Sequence, residues 1–380
     1  MSFSSDFGPF GNHVWLNCAH QGPIPQVAAA AAREAITWKQ QPYELTVERF
    51  SGIPARLKKA LARLINASTD EVILANSASY GMHLLANGLP LKAGDEILLS
   101  RGDFPSVILP WLGLEKRGIK IRFVDPANKV ITPEELQTAI SPATRLFCAT
   151  WVHSFSGRAT DLKGIGEVCK SNGLLFIANT TQAIGTKPFD VQTAPVDAIT
   201  NVGFKWLCGP YGTGFCWIRK PVLESMTYNQ SYWLSLQTSD DLGKPSQVVS
   251  LPDTPPTSKT YDIFGTANFF NYVPWTASIE YLLDIGVDKI IEHDQTLVQH
   301  LIDNFDRSRY KLLSPESGNA RSNLTLFSHV QPDENQRIYD ELKQNNFHIA
   351  FRRGNLRVAP HIYNTLDEID RFLALLSRLG

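Results

Sequence analysis

Charge of one sign is missing from this 380-residue chain: 36 Lys and Arg offset 37 Asp and Glu, leaving a net charge of −1. That balance gives no electrostatic basis for binding nucleic acid or an anionic membrane surface. Long hydrophobic runs are missing too, none approaching the roughly 20 apolar residues of a membrane-spanning helix. The opening Met1-Ser-Phe-Ser-Ser-Asp-Phe-Gly has neither a basic stretch nor a continuous apolar one, which argues against a secretory signal. Cysteine is sparse and unpatterned. Cys18, Cys148, Cys169, Cys208 and Cys216 show no CxxC or Cys/His ligand spacing, and the nine histidines form no paired ligand motif. An odd count with apolar neighbours implies reduced, mostly buried thiols in a cytoplasmic protein and no metal site. No internal repeat or low-complexity segment occurs.

What is present is an ordinary globular composition, 43% hydrophobic and 19% charged, in a chain long enough for two domains. From about residue 50, segments of helical periodicity alternate with short apolar runs. Helices are expected over 53–65, 80–89, 107–117, 133–140 and 162–172. Strands are expected over 71–75, 95–100, 119–124, 144–150, 174–178, 198–202 and 214–218. Such alternation implies crossover connections and a mainly parallel sheet covered on both faces. Residues 235–262, rich in Ser, Thr, Pro, Asp and Lys, are expected to form a long loop rather than a packed element. Helices over 276–285, 287–304, 334–345 and 365–379, with strands near 311 and over 323–328, then complete a smaller α+β unit. The expected division is an N-terminal segment 1–20, a large cofactor-binding domain 21–262 and a small C-terminal domain 263–380.

Four segments suit an aromatic, phosphorylated cofactor. The run Gly203-Phe204-Lys205-Trp206-Leu207-Cys208-Gly209-Pro210 places one lysine between an apolar strand and a tight turn. A lysine there is useful when its amine must be neutral and nucleophilic, as in Schiff-base chemistry; alone, it is equally a snorkelling surface lysine. Asn76-Ser77-Ala78-Ser79-Tyr80-Gly81 follows a strand and opens a helix, where small residues and the helix N-terminus suit an anion; ordinary capping by Ser77 or Ser79 is the plainer role. Phe104, after the strand ending at Ser100, is placed to stack on a planar ring or simply to fill core. Ile177-Ala178-Asn179-Thr180-Thr181-Gln182 ends another apolar strand with polar groups, either at a ligand crevice or in a plain turn.

With these segments in hand, the chain resembles the class V aminotransferase family of fold type I pyridoxal-phosphate enzymes, which includes cysteine desulfurases and isopenicillin N epimerase-like proteins. The likeness runs from Leu16-Asn-Cys-Ala-His20-Gln-Gly-Pro-Ile-Pro to Leu356-Arg357-Val-Ala-Pro-His361-Ile-Tyr363-Asn364-Thr365, and the Lys205-Trp-Leu-Cys-Gly-Pro turn and the closing Arg357…Tyr363-Asn364-Thr365 stretch are its specific parts. The resemblance implies an α/β fold with a mainly parallel seven-stranded sheet in the large domain and a homodimer with shared active sites. It implies that Lys205 bonds to the aldehyde of pyridoxal 5'-phosphate and then shuttles the proton at the substrate's Cα. Ser77, Ala78 and Ser79 would hold the phosphate, Phe104 would stack on the ring and Gln182 would bond the phenolic oxygen. Gly265 and Thr266 would reach the phosphate of the neighbouring subunit. Arg357 would grip the carboxylate of an amino-acid-like substrate, unless it serves a structural salt bridge. His20, His153 and His361 are candidate acid/base groups, a satisfied structural histidine being the plainer role for each. His20 is placed with Arg357 on the substrate side.

Three departures from the family pattern bear on the reaction. Asn179 stands where the family places an aspartate that keeps the ring nitrogen protonated, so the electron sink should be shallower and transamination the reaction most harmed. Phe204 replaces the Ser or His that many relatives carry before the lysine. The stretch Asn346-Phe-His-Ile-Ala-Phe-Arg-Arg-Gly-Asn-Leu carries no mobile cysteine, which disfavours a persulfide relay. The expectation is therefore β-elimination of the C–S lyase type or epimerisation. A conventional aminotransferase is the alternative, and a cofactor-binding protein with little catalysis is an alternative of another class.

Overall fold

The computed structural model describes residues 3–237, 250–251, 253–265 and 267–379. Thirteen strands are described in chain order: β1 Val14–Trp15, β2 Val72–Ala75, β3 Glu96–Ser100, β4 Lys120–Val124, β5 Thr144–Thr150, β6 Leu175–Asn179, β7 Ala198–Val202, β8 Gly214–Ile218, β9 Tyr310–Leu312, β10 Thr325–His329, β11 Phe347–His348, β12 Ala350–Arg352 and β13 Asn355–Val358. Seven of them form one sheet in the order β2-β8-β7-β6-β5-β3-β4. Only β8 runs antiparallel to its neighbours, so the carboxyl ends of β2, β3, β5, β6 and β7 share one edge with the amino end of β8. That edge is where an open α/β sheet places its ligand.

The strands are apolar on both sides because both faces are covered. Leu74, Leu98, Phe147, Phe176, Ile199 and Phe215 bury into one core, while Ile73, Ile97, Leu146, Ile177, Ala198 and Cys216 bury into the other. The alternation of residues between the two cores is the period of two that a pleated strand imposes. A third core joins Val14 and Leu16 to Phe327, Leu356, Val358, Phe372 and their neighbours around the four-stranded antiparallel sheet β12-β13-β10-β9. β1 pairs with β11, so the N-terminal segment packs with the C-terminal sheet. The helix Phe269–Ile285 contributes Tyr272, Trp275, Ile279 and Leu282 to the first core; the boundary expected at 262 falls just before it.

Several elements differ from the sequence expectation. The helix expected to begin at 53 spans Val47–Ile65, starting at an N-cap where Thr46 accepts from Arg49 N, and it passes through Pro54. Proline inside a helix reads as a boundary because it lacks an N–H, but packing on one face of this helix overrides that local cost. Gln26–Gln40 is a helix that the pattern did not announce: it is rich in alanine and buries only Ala28 and Ala35. Residues 238–249 and 252 of the expected long loop lie outside the described residues. Its end is a packed 3-10 turn, Ser258–Tyr261, with Tyr261 buried. The adjoining Asp262 accepts from Leu74 N at 2.8 Å and pairs with Lys58 at 2.9 Å. All five cysteines are free and buried.

Candidate active site

A cavity of about 400 Å³ opens at the shared edge of the sheet. Ser77, Ala78, Ser79, Phe104, Asn179, Gln182 and Lys205 all line it, brought together from the ends of β2, β3, β6 and β7. Ser77 is the N-cap of the helix Ala78–Gly88, its Oγ accepting from Tyr80 N at 3.2 Å. Capping by Ser77 does not use up this helix end: Ser79 also lines the cavity from the first turn, where unpaired backbone N–H groups and the positive end of the helix dipole would favour an anion.

Lys205 is held in a turn that only small residues allow. A Cβ on Gly22 would stand 1.9 Å from the Lys205 carbonyl oxygen, and one on Gly203 would stand 2.4 Å from the Trp275 ring. The Lys205 Nζ sits 5.8 Å from the Phe104 ring centroid and 6.0 Å from that of Phe204. Burial, then the charges of Arg357 and Arg352, push its pKa down to about 7. At neutral pH a large share of the amine is therefore unprotonated, the form that attacks a carbonyl.

Phe104 is braced from behind. Phe155 stacks on it at 6.1 Å and 19°, and Arg353 lies 3.7 Å over the Phe155 ring. Asp103, next in sequence, is buried and anchors the loop by accepting from Thr150 N at 2.9 Å and from the Thr150 hydroxyl. Burial raises its pKa to about 6. Gln182 donates to Ala19 O at 3.0 Å and accepts from Trp206 Nε1 at 2.9 Å, leaving one N–H for a ligand. Asn179 accepts from Thr181 N at 3.0 Å and donates to Ser106 Oγ at 3.3 Å. Among the described residues, no acidic side chain lines the cavity.

The substrate-side residues stand beside that wall rather than on it. Arg357 is 2% exposed, donating to Ser154 O at 3.2 Å and to Asn17 Oδ1 at 3.4 Å while its Nε has no partner. Among the described residues no carboxylate pairs with it; burial and then Arg352 lower its pKa to about 9, which leaves it charged at neutral pH. His20 is exposed, and partial burial followed by Arg352, Lys205 and Arg357 lowers its pKa. His153 is held by Ser156 Oγ at 2.9 Å and Gly102 O at 3.2 Å, and His361 is fully buried against Asp294. Both are satisfied structural histidines. Gly265, at φ +74°, does not line this chain's cavity, and Thr266 lies outside the described residues. Phe155 and Arg353 carried no signal of their roles in the sequence, since each acts through another residue rather than through a motif.

The residues present fit a phosphorylated aromatic aldehyde with an amino acid beside it. A helix N-terminus faces the cavity, a braced aromatic ring covers one side, and a depressed lysine stands with an uncompensated buried guanidinium nearby. The buried Thr181 hydroxyl on the cavity wall has no protein partner and so remains available to a ligand.

Comparison with known proteins agrees with this geometry. The model of the family "Aminotransferase class-V" matches residues 26–372. A probable cysteine desulfurase of Methanothermobacter thermautotrophicus is 26% identical over 94% of this chain and 92% of its own length. The isopenicillin N epimerase of Streptomyces clavuligerus is 24% identical over 96% of this chain and 94% of its own. The solved cystine C–S lyase C-DES, in complex with its product cysteine persulfide, superposes with a TM-score of 0.88 at 20% identity, over 98% of this chain and all of that one. This chain therefore belongs to the class-V aminotransferases, a family of pyridoxal-phosphate-dependent enzymes.

Proposed function

We propose that the protein acts at the Cα of an amino acid, by β-elimination of the C–S lyase type or by epimerisation. The single observation that carries this reading is the neutral Asn179 in a cavity that no carboxylate lines among the described residues. When bound, pyridoxal phosphate supplies an aldehyde for the substrate amine and a conjugated ring that accepts electron density from Cα. Backbone N–H groups at Ser77–Ser79 would hold the phosphate, and Phe104 would pack on the ring. The Gln182 amide would bond the phenolic oxygen. Arg357 grips the substrate carboxylate, which supplies the negative charge that its buried guanidinium lacks.

Neutral Lys205 takes the Cα proton. In elimination, the Cβ–S bond then breaks with its electron pair on sulfur; in epimerisation the proton returns on the other face. Asn179 cannot hold a proton on the ring nitrogen as a carboxylate would, so long storage of charge in the ring, which transamination needs, is disfavoured. Similarity to a probable cysteine desulfurase and to the epimerase is consistent with elimination and epimerisation; the choice over a conventional aminotransferase rests on Asn179. The retained Lys205, Gln182 and Arg357 argue against a non-catalytic cofactor binder. We further propose a homodimer in which the partner's Gly265 and Thr266 complete each phosphate site, since Gly265 stands outside its own chain's cavity.

A panel of amino acids, followed by cofactor absorbance and product analysis, tests the reading. Pyruvate with ammonia, or inversion at Cα, is expected. Accumulation of the pyridoxamine form would show an aminotransferase, and no spectral response would show a silent binder. Asn179→Asp should raise transamination several-fold relative to elimination; unchanged partitioning would count against the electronic argument.

A further inference from the structure

We propose that Cys18 and Cys208 are a dithiol that a peroxide converts to a disulfide, tying the Lys205 turn to the N-terminal segment. The two residues meet behind the turn. The Cys18 thiol lies 3.6 Å from the Lys205 carbonyl oxygen, and the Cys208 N–H donates to that same oxygen at 3.0 Å. Gly22 lets the two segments close up: its N–H donates to Phe204 O at 2.9 Å, and a Cβ on it would stand 3.3 Å from Cys208 Cα. The Cys18 thiol donates toward the Cys208 sulfur. Cys208 also has a φ of +49°, in the left-handed region that a residue with a side chain rarely adopts, and such strain concentrates at functional positions.

The surroundings divide the roles between the two sulfurs. The hydrogen bond from Cys18, helped by the neighbouring His361 cation, holds the Cys208 thiol well below its ordinary range although burial opposes it. Cys208 is therefore the thiolate of the pair, the form that attacks. Burial, then Cys208, pushes the Cys18 thiol well up, so it keeps its proton until a partner sulfur is activated. The other cysteines differ: burial pushes up Cys148, Cys169 and Cys216, with Asp103 and Asp197 adding to it at the first two, so all three stay protonated. Hydrogen peroxide is the oxidant, small enough to reach a buried sulfur. The Cys208 thiolate attacks one peroxide oxygen, the O–O bond breaks, hydroxide departs, and Cys208 becomes a sulfenic acid. The Cys18 sulfur then attacks the Cys208 sulfur; the S–O bond breaks and water departs with the Cys18 proton. Each sulfur loses one electron, and the peroxide that gains them ends as two waters once its hydroxide is protonated from solvent. The new bond would act on the site from behind, because Asn17 and Ala19, on either side of Cys18, hold Arg357 and Gln182.

Mass spectrometry of the full chain with its cofactor tests this. The protein is treated with hydrogen peroxide, unfolded and alkylated. Three thiols should remain of the original five, with the loss of two hydrogen atoms and a crosslinked peptide joining Cys18 to Cys208. A reductant should restore all five. Cys208 should be oxidised on the order of 10-fold faster than Cys148, Cys169 or Cys216. The disulfide form should unfold at a higher temperature than the reduced form, since the bond closes a long loop of the unfolded chain. In Cys18→Ser, Cys208 has no sulfur to capture it and should run on to the sulfinic acid. Five free thiols after treatment, sulfinic acid at Cys208 of the unaltered protein without a crosslink, or a crosslink to another cysteine overturns the proposal. The decisive readouts come from the unaltered protein and do not depend on how a substrate is bound, so they stand even where the variant fails to fold.

Discussion

Two buried cations lie four residues apart in the chain and have opposite fates. His361 is fully buried, with Nδ1 2.7 Å from Asp294 Oδ2 and Nε2 3.0 Å from the Trp206 carbonyl. Both neighbours only accept hydrogen bonds, so both ring nitrogens must donate and the imidazole is charged. Burial alone would lower its pKa; Asp294 outweighs that and raises it to about 10. Asp294 in turn accepts from Asn323 at 2.6 Å. Arg357 is almost as deeply buried and has two neutral acceptors but no counter-charge. The contrast teaches that a buried charge with its partner in the fold is architecture, and one without is waiting for a ligand. The paired histidine clamps the Lys205 turn through Trp206, whereas the arginine, with no carboxylate partner among the described residues, is the group we propose to hold substrate.

The comparison breaks most visibly at the paired cation. Asp294→Ala leaves an imidazolium without its counter-charge and should cost about 3–5 kcal/mol of folding stability, read by denaturant titration. Removing the unpaired cation should do the reverse. Arg357→Gln should lower kcat/KM about 100-fold, roughly 2.7 kcal/mol of transition-state binding, yet leave unfolding stability unchanged or higher. A large stability loss in Arg357→Gln would mean that it is structural after all.

Acidity sharpens the contrast with a smaller effect. His361 has a folded pKa raised from 6.5 to about 10, so its contribution is fully present below pH 6.5 and is lost as pH rises toward 10. Lys205 has a folded pKa depressed from 10.5 to about 7, so its burial penalty is greatest below pH 7 and disappears as pH rises toward 10.5. In cofactor-free protein these two trends oppose one another between pH 7 and 10. Lys205→Met removes one of them, and its stability should then fall more steeply with pH across that window than that of the unaltered protein. Parallel profiles would show that the lysine is not desolvated.

Much of the large sheet was legible because its strands are short, apolar and bounded by turn residues. The strands at 144–150, 198–202 and 214–218 have the expected limits. The chain pattern failed where local chemistry and packing disagree, as at Pro54 inside its helix, and where burial is slight, as in Gln26–Gln40. β11, β12 and β13 passed unread because two to four residues are too few to establish an alternation. Within the site, folding brings Ser77, Ala78, Ser79, Phe104, Asn179, Gln182 and Lys205 to one cavity, whereas the support of Phe155 for Phe104 was not legible, since Phe155 is an ordinary letter until folding sets it against that ring.

The sequence by itself determined the strand and helix alternation, the family pattern and the lysine on its glycine-bounded turn, since these follow from local propensity and fixed spacing. It also carried the missing carboxylate at Asn179. Only the tertiary structure decided which charges have partners. His361 and Asp294 are 67 residues apart, and Arg357 meets Asn17 across 340. Desolvation and Coulomb energy depend on distances that no linear spacing encodes.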